Sequence, residues 1–166
     1  MAQDDNKRFD RDMWLGDTGA SCYMGNSDEG MFDCEEINQP VTIGDGKAVT
    51  AVRVGKLRRT IVQKDGSSLD VVLYPYKHVP KLHVNLFSIT KALQSGWQIS
   101  NKKMEITLQR KSNKIVFDHT FKTDHGILCG VRMVPRYEGR NANHAYTAFD
   151  INKMHRIFNH ASIDVL

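Results

Sequence analysis

Long apolar runs are missing from this chain: none approaches the ~18 residues a membrane span requires, which argues against a membrane protein. The N-terminal stretch "MAQDDNKRFDRD" is polar and mixed in charge and has no apolar core of the kind a secretory signal carries, which argues against export. Cysteine is scarce. Cys22, Cys34 and Cys129 form no Cys-x-x-Cys pair and, being three, cannot all be bonded within one chain, so a reducing cytosol fits best. A strong charge of one sign is also absent. The net charge is +4, whereas nucleic-acid binders are usually more basic and interleave aromatics, so "KLRR" (56–59), "NKK" (101–103) and "QRKSNK" (109–114) read as solvated strand and turn faces. There is no internal repeat and no low-complexity tract.

What is present suits one domain of ordinary size with a real core, in a chain of 166 residues of which 40% are apolar and 25% charged. From residue 41 onward, short β-like runs alternate with turn residues: "VTI", "GDG", "KAVTAVRVG", "KLRRTIVQ", "KDGSS", "LDVVLYPY". These predict consecutive hairpins. In "NLFSITKALQSG", Leu86, Phe87, Ile89, Ala92 and Leu93 recur at helical spacing and stop at Gly96, predicting one short helix. Strand-like runs resume in "GWQIS", "MEITLQR", "NKIVFD" and "GILCGVRM", ending near Pro135. Residues 136–150 have the weak periodicity of a linker, and Ile151, Met154, Ile157 and Phe158 then predict a helix that runs to the chain end, as in a fragment of a longer polypeptide.

The chemistry centres on "MWLGDTGASCYM" (13–24), where an apolar run delivers Asp17-Thr18-Gly19 into a tight loop of small residues. Two carboxylates held close together cannot both ionise, so one stays protonated as acid while the other acts as base toward water. This chain has one Asp-Ser/Thr-Gly triplet and roughly half the length of a two-lobed single-chain version. A symmetric homodimer would bring Asp17 against its own copy. Gly19 would then admit a backbone N–H to the carboxylate, Thr18 would bond across the dimer, and Ser21 would donate to the outer oxygen of Asp17. Such a triplet arises by chance in roughly one chain in ten, and by itself Asp17 reads as a turn residue.

Other reactive side chains support no mechanism of their own. "GASCY" begins like a nucleophile elbow, but Tyr23 stands where its second glycine must be. Cys22 reads as a small core residue, and Trp14 and Trp97 as core aromatics. His155 and His160 have acceptable ligand spacing without a following Cys-x-x-Cys, so they read as a helix surface and core pair.

The ordered set "WLGDTGAS" with the trailing "YM", "VTIGDG", "LDVVLYPYKHVPKLHVNLFSITKAL" and "GILCGV" resembles the retropepsin-like aspartic proteases of copia-type (pseudoviral) retrotransposon polyproteins. Two departures are a Tyr at position 23, where His is common, and extra residues between 73 and 82. The resemblance implies a mostly β, retropepsin-like fold over residues 9–134, a closed barrel-like domain with a flap hairpin and one short helix. A flexible segment (1–8) precedes it; a linker (135–150) and the start of a pre-integrase segment (151–166) follow. It implies Asp17, Thr18 and Gly19 as catalytic residues. Ala20 and Ser21, with Ile43, Gly44, Asp45 and Gly46 at the flap tip, would hold substrate, and "VNLFSITKAL" would be the strand-helix junction behind the loop. The implied activity is cleavage of a Gag-Pol-type polyprotein by a homodimer, without metal or organic cofactor, membrane or nucleic acid. The implied setting is cytoplasmic, with virus-like particles as one location. Two rivals stay open: a silent module that binds peptide without cutting, and a nucleic-acid-binding leader of an integrase.

Overall fold

The computed structural model describes residues 10–44, 46–102 and 105–136, with the backbone of residues 164–165. Strands β1 (Met13–Asp17), β2 (Tyr23–Gly25), β3 (Met31–Thr42), β4 (Ala48–Val62), β5 (Ser68–His78) and β6 (Asn85–Ser88) precede helix α1 (Ile89–Gln94). After it come β7 (Gln98–Lys102), β8 (Glu105–Arg110), β9 (Asn113–Phe117), β10 (His119–Thr123), β11 (Gly126–Pro135) and the two-residue β12 (Asp164–Val165). The mostly β expectation holds.

Six strands close on themselves: β11 pairs with β1, β1 with β6, β6 with β2, β2 with β5, β5 with β4, and β4 returns to β11. Closure satisfies backbone groups that an open sheet would leave along its edges. Outside the ring, β3 extends the hairpin with β4, β10 pairs with β11, and β12 runs parallel to Val71 and Val72 of β5. A separate sheet, β7-β8-β9, contributes Leu108, Ile115 and Phe117 to the same core as Trp14, Leu57, Ile61, Leu73 and Val131 of the ring. Aromatic rings knit the two sheets together. Tyr23, Phe87 and Phe117 meet edge to face at 5.0 and 5.3 Å, the geometry their ring quadrupoles favour. Gln63 fixes the end of β4 to β9: its amide donates to the Val116 carbonyl at 2.8 Å and accepts from the Val116 N–H at 2.7 Å.

Four local expectations change. Ala48–Val62 is one strand of 15 residues rather than two runs broken at Gly55. A Cβ at Gly55 would lie 2.8 Å from Cys34 Sγ and 3.0 Å from the Asp33 carbonyl, so this glycine admits the neighbouring strand and makes no turn. The stretch "MFDCEEINQP", in which the sequence pattern predicts no element, joins "VT" in one strand; it lies on an outer edge with most side chains exposed, so it shows no alternation of buried positions. The helix is shorter than its apolar spacing suggested. Leu86 and Phe87 belong to β6, because parallel pairing with Leu15 and Gly16 of β1 claims them, and the helix begins only at Ile89. His119–Thr123 is a strand that the sequence pattern did not single out.

Residues 1–8, most of the linker, and His155 and His160 lie outside the described residues, as does Asp45. Asp164–Val165, within the stretch read as helical, is extended.

Candidate active site

β1 and β6 run parallel and end together, with Asp17 opposite Ser88. There they diverge. β1 turns into the loop 18–22, which crosses the end of β6 before returning as β2 on its other side, and β6 turns into α1. Asp17 therefore stands half-buried in the gap where two paired strands part.

Three hydrogen bonds hold that loop. The Gly19 N–H donates to Asp17 Oδ1 at 2.7 Å, a charge-assisted bond within the triplet. The buried Ser88 hydroxyl donates to the Ala20 carbonyl at 2.6 Å and also accepts from the Lys91 N–H at 3.1 Å, capping α1. The Thr90 hydroxyl donates to the Thr18 carbonyl at 2.9 Å. A Cβ at Gly19 would lie 3.2 Å from Asp17 Oδ1, so the closeness of the loop to its own carboxylate depends on glycine here. Of the two donors expected at the Asp17 carboxylate, the Gly19 N–H is in place and the Ser21 hydroxyl is not. Ser21 is exposed, its side chain faces the Cys22 thiol, and no hydrogen bond joins it to Asp17. Thr18 is exposed and Ala20 is buried.

Across from this loop stands the β3–β4 hairpin. Its turn is closed by the Gly46 N–H on the Ile43 carbonyl and the Ile43 N–H on the Lys47 carbonyl, both at 2.9 Å. Gly46 adopts φ +82°, the left-handed residue that a three-residue hairpin loop needs. Asp17, Gly19, Ala20 and Ser21 on one side and Val41, Thr42, Ile43 and Gly44 on the other line a cleft of about 660 Å³. Met24, Leu82, Val84 and Leu86 give it an apolar wall, and all but Val84 belong to a cluster with Cys22, Ala51 and Val79 that is separate from the barrel core. The structure thus brings together Asp17, Gly19, Ala20, Ser21, Ile43 and Gly44, and leaves Thr18 off the lining. Gly46 shapes the turn without lining the cleft.

Four further residues on that lining, Gln39, Pro40, Lys77 and His83, went unnoticed in the sequence, as did Ser88 and Thr90 behind the loop. A serine just before a helix is an N-cap signal, but its second bond, to Ala20, has no local signature. Cys22 is 3% exposed, and burial raises its thiol pKa, as for a cysteine that packs in a core. Tyr23 belongs to the core; burial raises its phenol, and its hydroxyl has no hydrogen-bond partner among the described residues. Among the described residues no three His, Cys, Asp or Glu side chains converge as metal ligands would.

A family model described as "Pol polyprotein, beta-barrel domain" matches residues 14–97. That span contains every residue lining the cleft, together with Ser88 and Thr90. No curated protein and no solved structure matches the chain.

Proposed function

Because this chain belongs to the family of Pol polyprotein beta-barrel domains, and so has a retroelement polyprotein origin, we propose that its cleft is one half of an aspartic endopeptidase active site. A second copy of the chain completes it. The observation that carries this reading is the seating of Asp17. Its carboxylate lies on the cleft wall at the end of β1, with Oδ1 held by the Gly19 N–H and Oδ2 without a hydrogen-bond partner among the described residues.

In the dimer the two Asp17 carboxyls share one proton, because two like charges in contact cannot both ionise. The ionised member takes a proton from water as the water oxygen bonds to the scissile carbonyl carbon. The protonated member supports the oxyanion, and a carboxyl proton then goes to the leaving amine as the C–N bond breaks. Substrate lies extended between the hairpin tip and the dyad, exchanging main-chain hydrogen bonds as an added strand would. The finer reading is a copia-type protease that cuts its own polyprotein in the cytoplasm or within virus-like particles.

Asp17→Asn, expressed with natural flanking sequence, tests the assignment. Asparagine keeps an acceptor for the Gly19 N–H but cannot serve as base, so processing should fall by about three orders of magnitude or more while the circular dichroism spectrum stays unchanged. Unchanged processing overturns the protease reading. Titration with a transition-state peptide isostere separates a silent binding module, which binds the isostere no more tightly than the plain peptide, from an enzyme.

A further inference from the structure

We infer that Lys77 makes one subsite of this cleft selective for an acidic side chain in an extended peptide. The inference rests on reading the cleft as a peptide-binding site and adds what that reading leaves open, the chemistry of the residue it accepts.

The argument begins with strand register. Met24 of β2 lies directly opposite Leu86 of β6 on one side and Lys77 of β5 on the other. Directly paired residues project from the same face of a sheet, so Leu86, Met24 and Lys77 form one row, and all three line the cleft. Tyr76, the preceding residue, points the other way into the barrel core, where its hydroxyl donates to the Ser27 carbonyl at 2.6 Å. A lysine thus occupies a position in an otherwise apolar row. It is half-buried, and no carboxylate lies within ion-pair distance of it among the described residues.

Charge on the lining is sparse. Asp17 and Lys77 carry it, with the exposed imidazole of His83 beside them. The ammonium of Lys77 also draws down the pKa of the buried Cys22 thiol, although burial outweighs it, which agrees with its place beside that apolar cluster. A half-buried cation flanked across the sheet by Met24 and Val54 is screened less by salt than an exposed one, and a carboxylate reaching it gains accordingly. A lysine side chain arriving there meets repulsion and loses hydration, and an apolar one leaves the ammonium without a partner.

The test uses the full chain and decapeptide mixtures carrying Glu, Gln or Lys at each position in turn. At one position the wild-type protein should cleave Glu peptides with kcat/KM about five- to tenfold above Gln peptides. Lys77→Glu should reverse this toward Lys, Lys77→Met should abolish it, and Lys77→Arg should retain it. In parallel, fluorescence anisotropy with the Asp17→Asn protein reads binding of the same peptides without turnover, and should give the same ranking. If the wild-type protein cleaves nothing while the binding arm keeps the ranking, the protease reading falls and the assignment of Lys77 stands. Equal affinity for Glu, Gln and Lys peptides, or no peptide binding at all, overturns it. So does a Glu preference that survives Lys77→Glu in a variant with wild-type melting behaviour.

Discussion

Ser88 performs two tasks with one hydroxyl group. It donates to the Ala20 carbonyl in the loop that carries Asp17, and it accepts from the Lys91 N–H at the first turn of α1. Because Ser88 and Ala20 are buried, removing the hydroxyl leaves a carbonyl that water cannot easily reach. Ser88→Ala should therefore cost about 2–4 kcal/mol, the sum of a lost cap and an unsatisfied acceptor, measured by urea unfolding. Thr90→Val removes the bond to Thr18 at a more exposed place and should cost less, about 0.5–1 kcal/mol. If the two variants lose equal stability, burial is not what gives Ser88 its weight. At this scale the sequence showed Asp17 and its small neighbours but not the groups that hold them. Ser88 lies 68 residues from Ala20, and no local pattern links positions that distant.

The β3–β4 hairpin makes the corresponding point for an element. Alternation of side chains reveals a strand where one face is buried, so β4 was legible, whereas the exposed outer strand β3 was legible only at its end, Val41 and Thr42. Gly55 misled in the other direction: glycine punctuates turns, yet here it makes room for Asp33 and Cys34 of the paired strand β3, where the ladders on both sides of β4 shift register. Gly55→Ala should destabilise the protein by about 1–3 kcal/mol, because a methyl group would meet both Cys34 Sγ and backbone. Adding Cys34→Ala removes the sulfur but not the Asp33 carbonyl, so the double variant should recover only part of the loss in thermal denaturation. Full recovery would show that the side chain alone sets the contact. At β6 a similar contest is decided by pairing. The apolar spacing of Leu86 and Phe87 suits a helix, but four consecutive pairs with β1 hold the segment extended.

For the whole molecule, the proposed activity needs two chains, since each carries one Asp-Thr-Gly triplet. Cleavage per chain should rise with protein concentration until dimers saturate, and Asp17→Asn protein added in equal amount should place about half of the wild-type chains in mixed, inactive dimers. Peptide turnover measured alongside sedimentation checks both; a monomer with full activity overturns the dimer. The sequence by itself determined a β-rich chain with one short helix and one carboxylate delivered by a strand into a loop, because these follow from local periodicity and turn chemistry. Tertiary structure decided the rest. Which strands close the ring, which hairpin faces Asp17, and that Lys77 shares a row with Met24 and Leu86 all depend on pairings between segments distant in the chain. Local periodicity assigns a side chain to a face, but the identity of what lies opposite that face is fixed only when the barrel closes.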